Sequence, residues 1–257
     1  MRIIHIIIIS LMVLQLESCT ENCPKTTTIV VYQIGAKNNI FRINNSYYVP
    51  FYTGDKILSD EQIKMICPDA TTDTLHLTYR KVCPTKKSEA IYFANNILCC
   101  TKSTICDTYI KGQTMCVKVY DNDGNNIQAK ISLQHDELLL LAFLKDKLSI
   151  ERKLVYIDTL DRYKSSCEYR YMLYLDSKKE NEMFFISGNN PNEPQSCRML
   201  SDYIMSLVQM HLLEIVQKND KDLPETARLR KCRTMLEQNE KDYGIAAEPP
   251  IWDEMQF

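Results

Sequence analysis

Histidine is the side chain most often used as a general base near neutral pH, and this 257-residue chain has four, His5, His76, His135 and His211. His5 lies inside an apolar N-terminal run. His76 stands in Leu75-His76-Leu77, an alternating segment that reads as a strand with an exposed imidazole. His135 precedes Asp136-Glu137 and reads as a loop residue. His211, beside Met210, Leu212 and Leu213, reads as a residue on the flank of a helix. None of them stands in a recognisable motif. The chain contains no Gly-x-Ser-x-Gly elbow, no His-Glu-x-x-His, no phosphate loop and no Gly-x-Gly-x-x-Gly.

Cysteine is the other residue whose number and spacing could carry chemistry. The eleven are Cys19, Cys23, Cys67, Cys83, Cys99, Cys100, Cys106, Cys116, Cys167, Cys197 and Cys232. Zinc would call for Cys-x₂₋₄-Cys pairs at a set distance. Cys19 and Cys23 are the only such pair, and the cluster Cys99, Cys100, Cys106, Cys116 has the wrong spacing. The alternative is disulfides in an oxidising compartment: loss of Cys19 with a leader leaves ten cysteines, enough for up to five bridges. If Cys19 stays, one thiol is odd and is either free or paired between chains. No metal site and no cofactor is expected on this reading.

Carboxylate pairs such as Asp158/Asp161 and Asp121/Asp123 have glycosidase-like composition, but 33 acids make such pairs common by chance. Asp121-x-Asp123 lacks the remaining ligands of a calcium loop and reads as a turn. The densest basic run, Arg228-Leu229-Arg230-Lys231-Cys232-Arg233, spreads over more than one helix face and reads as solvated. A net charge of −2 gives no global pull toward nucleic acid or an anionic membrane.

The elements that would have to position these residues begin with an export signal. Met1-Arg2, the run Ile3 to Leu14, and then Gln15, Glu17 and Ser18 have the three regions of a secretory signal peptide, with cleavage near Ser18 or Thr20. The run is shorter than the roughly 20 residues a membrane span needs. One glycosylation sequon, Asn44-Asn45-Ser46, agrees with that route.

Three regions are expected: the signal at 1–18, a β-rich cysteine-containing region at 19–190, and a helical region at 191–257 packed on the same domain. Strands are expected at Thr28–Tyr32, Tyr47–Tyr52, Thr74–Tyr79, Ala90–Phe93 and Lys153–Ile157. Hairpins are expected at Met115–Tyr120 with Ile127–Leu133, and at Tyr169–Leu175 with Glu182–Ile186. Glu137–Leu148 is ambiguous, because Leu138 to Leu144 is apolar on every face and fits a buried strand or a short buried helix. Three-and-four spacing predicts one helix over Met199–Lys218, and Asp222-Leu223-Pro224-Glu225 opens a second, running to about Asp242. The fold class is thus α+β, a strand-rich disulfide-bonded two-thirds followed by two C-terminal helices.

The stretch Gly54-Asp55-Lys56-Ile57-Leu58-Ser59-Asp60-Glu61-Gln62-Ile63-Lys64-Met65-Ile66-Cys67-Pro68, followed by Cys83 and Cys99, resembles the N-terminal region of secreted arthropod DNA/RNA non-specific endonucleases. Tyr156-Ile157-Asp158-Thr159-Leu160 is similar to another stretch of that region, and the resemblance covers residues 25–165. It implies a strand-rich, disulfide-bonded region. That family's catalytic Asp-Arg-Gly-His, with a downstream asparagine holding a divalent metal, has no counterpart, because no histidine here follows a glycine.

The expectation is therefore a secreted, disulfide-stabilised protein that binds an extracellular protein partner and does no catalysis. Its staples would be drawn from Cys23, Cys67, Cys83, Cys99, Cys100, Cys106, Cys116, Cys167, Cys197 and Cys232, and its glycan would sit on Asn44. The alternative is a degenerate or atypical metal-dependent endonuclease-like hydrolase, the only reading under which nucleic acid is a partner.

Overall fold

A computed structural model describes residues 26–34, 38–50, 61–62, 65, 70–78, 90–97, 105–120, 126–150, 155–157, 169–176, 181–187, 194–220 and, between 229 and 237, all but 231 and 235. The expected signal peptide, the cysteines Cys23, Cys67, Cys83, Cys99, Cys100 and Cys167, and the pairs Asp121/Asp123 and Asp158/Asp161 lie outside them. So does most of the stretch that resembles the endonucleases.

Two sheets form. The first contains β1 (Thr26–Ile34), β2 (Asn38–Ile43), β3 (Ser46–Tyr48) and β4 (Thr71–Thr78), in the order β3-β2-β1-β4 and antiparallel throughout. The second contains β5 (Ala90–Ile97), β6 (Ile105–Lys111), β7 (Thr114–Tyr120), β8 (Asn126–Ser132), β9 (Val155–Ile157), β10 (Tyr169–Asp176) and β11 (Asn181–Ser187). Its order is β8-β7-β6-β5-β10-β11-β9, and only β9 runs parallel to its neighbour. Period-two alternation explains the pairing. Ile29, Val31, Phe41 and Ile43 turn one face of the first sheet inward, while Ile91, Phe93, Ile110, Met115, Val117, Ile131, Tyr171 and Leu173 do the same for the second.

Three helices share that core: α1 (His135–Ile150), α2 (Gln195–Met210) and α3 (Leu212–Lys218). Glu137–Leu148, open between strand and helix from sequence, is helical. Leu138, Leu140, Leu141, Leu144 and Leu148 are all buried and lie on one side of the helix, which packs on the core, while His135 and Asp146 are exposed. α2 is enclosed, with every residue from Ser196 through Val208 buried.

The single helix expected over Met199–Lys218 is two helices, broken at His211 and bent by 55°. His211 has φ −93° and ψ 9°, off the helical path, and its N–H bonds back to Leu207 O. Described residues between 229 and 237 are helical, inside the span expected for the second C-terminal helix. Their Leu229, Cys232 and Leu236 pack on Ala90, Tyr92, Ala94 and Met172, on the other face of the second sheet.

β8 is a terminal strand of the second sheet, and α3 packs against it. The N–H of Asp220, just past α3, donates to Gln128 O at 2.7 Å, and Lys218 Nζ donates to Lys130 O at 3.1 Å.

Candidate functional site

The densest convergence of titratable side chains lies where α1, α2, α3 and β3 meet. It is built from the start of α1. Glu137 sits in that helix's first turn and folds back, so its Oε2 accepts the N–H of Gln134 at 2.6 Å, half of a capping box. Its other oxygen, Oε1, faces His211 Nε2 at 2.9 Å and accepts the Tyr48 hydroxyl at 3.0 Å. The Tyr203 hydroxyl of α2 donates to the Glu137 backbone carbonyl at 3.0 Å. On the opposite side of the imidazole, Nδ1 lies 3.2 Å from Glu214 Oε2, and Lys218 Nζ pairs with Glu214 Oε1 at 2.7 Å.

The electrostatics follow from this geometry. Burial pushes Glu137 up, but the His211 and Gln134 bonds, the imidazole's charge and the Tyr48 hydroxyl outweigh it and hold the carboxyl below its ordinary value. Burial likewise pushes His211 down, and the bonds and charges of Glu137 and Glu214 overcome it to raise the imidazole. Lys218, then His211, keep Glu214 low against a small burial effect. Burial, followed by the Glu137 charge, drives the Tyr48 phenol upward, so it is an inert donor.

Each sequence-derived candidate can now be placed. His211, expected on a helix flank, is a partly buried junction residue drawn in by Glu137. His135 and its neighbours are the first turn of α1 rather than a loop. His76 is exposed in β4 as expected, its Nδ1 3.3 Å from Thr28 Oγ1 on β1. The structure does not bring His76 to the His211 junction. Asn44 lies in the exposed turn between β2 and β3 at φ 55°, and its Nδ2 donates to Asp136 Oδ2 at 2.9 Å. Thr27 donates to the other oxygen of Asp136 at 2.8 Å.

No disulfide joins any two of the four described cysteines, Cys106, Cys116, Cys197 and Cys232. Cys106 is a buried thiol 3.7 Å from Met205 Sδ, its pKa pushed up to about 12 by burial and then by the Asp107 charge. Cys116 is a half-buried thiol, raised by burial.

Two further buried polar clusters hold elements together. Asp202 of α2 accepts both the N–H and the side-chain amide of Asn39, at 2.9 and 2.8 Å, and lies 3.2 Å from Arg198 Nε. Asp107 of β6 accepts from Arg233 at 2.6 Å and from the Tyr120 hydroxyl at 2.6 Å.

Glu137 is the central residue of the site that sequence reasoning missed, together with Tyr48, Tyr203, Glu214 and Lys218. The box signal is muted because the N-cap is Gln134 instead of Ser or Thr, and the 74-residue separation from His211 has no sequence pattern. The pair His211–Glu214, three apart on a helix, was the visible clue.

Chemically, the junction favours structure over turnover. A general base needs a free ring nitrogen, and both nitrogens of His211 face carboxylates that are themselves held by Tyr48, Gln134 and Lys218. A metal ion would need a nitrogen lone pair at about 2 Å, in the positions those contacts fill. Among the described residues no group of three His, Cys, Asp or Glu side chains is arranged to hold one. Comparison with protein-family models, with curated proteins and with solved structures found no match.

Proposed function

We propose that this chain is a secreted, disulfide-stabilised protein that works by binding an extracellular protein partner and not by catalysis. The observation that supports its non-catalytic part is the closed His211 junction, in which both ring nitrogens face carboxylates with partners of their own. Export is supported by the apolar run Ile3 to Leu14, and the staples would be drawn from cysteines other than the thiols Cys106 and Cys116. Asn44 lies in an exposed turn, where a glycan on Nδ2 would compete with its bond to Asp136.

The competing reading, an endonuclease-like hydrolase, is separated by one assay. The purified mature protein, incubated with supercoiled plasmid and magnesium or manganese, is expected to leave the plasmid intact. Nicking that EDTA abolishes would overturn the binding reading and establish the hydrolase. The intact mass of the secreted protein, before and after reduction and alkylation, tests the export and disulfide elements separately. An uncleaved N-terminus or fully alkylatable cysteines without reduction would remove them.

A further inference from the structure

Both ring nitrogens of His211 face carboxylate oxygens, which accept hydrogen bonds and donate none: Nε2 toward Glu137 at 2.9 Å, Nδ1 toward Glu214 at 3.2 Å. A neutral imidazole has a single N–H. It would satisfy one contact and set a nitrogen lone pair against a carboxylate at the other, so only the imidazolium satisfies both. We propose that His211 is a proton-operated latch at the α2–α3 bend, which in its charged form ties α1 to α3 and the β8 strand and on losing its proton releases the α3 side.

Burial decides which contact breaks. The Glu137 side chain is 1% exposed, and leaving that carboxylate without a donor is costly, so the remaining N–H stays on Nε2. Glu214 is 41% exposed, and water and Lys218 can take over its oxygens. The released carboxylate belongs to the same short helix whose Lys218, and whose following residue Asp220, bond the carbonyls of Lys130 and Gln128. Loss of the Nδ1 contact therefore loosens α3 against β8 while the α1 side holds.

The charged and titratable groups of the junction are Glu137 from α1, Tyr48 from β3, Tyr203 from α2, and Glu214 and Lys218 from α3, with Asp136 of α1 acting on the two phenols. Asp136 is occupied by Thr27 and Asn44, and the two phenols remain neutral donors. His211 is raised above its ordinary 6.5, so its contribution is complete below 6.5 and is lost as pH rises through the raised value. Glu137 is lowered from 4.5, so its contribution is complete above 4.5 and is lost only as pH falls through the lowered value. The latch is closed in mildly acidic solution and opens on the alkaline side.

The test uses the full chain with ¹³C-labelled histidine rings, titrated by NMR, together with quench-flow hydrogen exchange at the amides of Asn219 and Asp220. The His211 midpoint is expected above 6.5. Protection at Asp220, corrected for intrinsic exchange, should fall about tenfold as pH crosses that midpoint. Glu214→Gln supplies an amide that can either donate to Nδ1 or accept from it, and should flatten the dependence without unfolding the protein. A midpoint at or below 6.5, protection that is level across the titration, or a fall that persists undiminished in Glu214→Gln would overturn the latch.

Discussion

Burial and charge act on His211 and Glu137 in opposite senses, and the contacts win at both. A carboxylate sealed in the interior and supplied with an imidazolium, a phenol and a backbone N–H is stable only as a set, because removing one member strands the others. Glu137→Gln keeps the shape and one acceptor but takes away the charge opposite His211. It is expected to cost about 3–5 kcal/mol in urea unfolding near pH 6. The loss should shrink at a pH above the raised His211 midpoint, where the imidazole is neutral and the wild-type pair has already weakened. A cost that does not change between those two pH values would show that the charge contributes nothing. The sequence made His211 visible as a titratable residue in a helical segment and put Glu214 one turn away. It could not reveal that the decisive partner lies on α1, since only the packing of α1 on α2 brings Glu137 into range.

Strands were legible where alternation was clean and turns were marked. The hairpins β7–β8 and β10–β11 pair as expected, and β1, β4, β5 and β9 lie at or around their expected positions. β2 and β6 were not foreseen. In β6 the buried run Cys106, Asp107, Thr108 breaks the apolar-polar alternation, and it is tolerable only because Arg233 and Tyr120 satisfy Asp107. In β2 the buried Asn39 depends on Asp202 in the same way. Both exceptions rest on partners far away in sequence, which no window of residues can report. The β6–β7 turn shows the local rule at work. Gly112 has φ +61°, and a Cβ there would meet no atom within 4 Å, so the whole penalty of a side chain is conformational. Gly112→Ala should therefore lower stability by about 1 kcal/mol with the fold unchanged. A neutral result in thermal unfolding would mean that the turn relaxes to a negative φ.

At the scale of the whole molecule, α+β with a β-rich body and helices toward the C-terminus was readable, because periodicity switches from two to three-and-four near residue 195. The arrangement was not. The helices enter the core that both sheets share, and β10 inserts between β5 and β11, which leaves its predecessor β9 on the far side of β11. Strand order depends on which faces cover one another, and that information is spread along the chain.

The seating of α3 along β8 bears on how the protein keeps from associating with itself. A terminal strand carries backbone groups that can recruit another chain, and a seven-stranded sheet with one bare side would grow by adding strands. Here a short helix takes up two β8 carbonyls, and the far side of the sheet finishes in β9, only three residues long. Ile215→Asp, which unseats α3 from the core and leaves residues 229–237 in place, should therefore form thioflavin-positive aggregates at concentrations where the intact protein stays dispersed. Equal solubility of the two would show that side chains along β8, and not the helix, guard that side. Seated on β8, α3 would serve as a stopper on polymer growth as much as a part of the core.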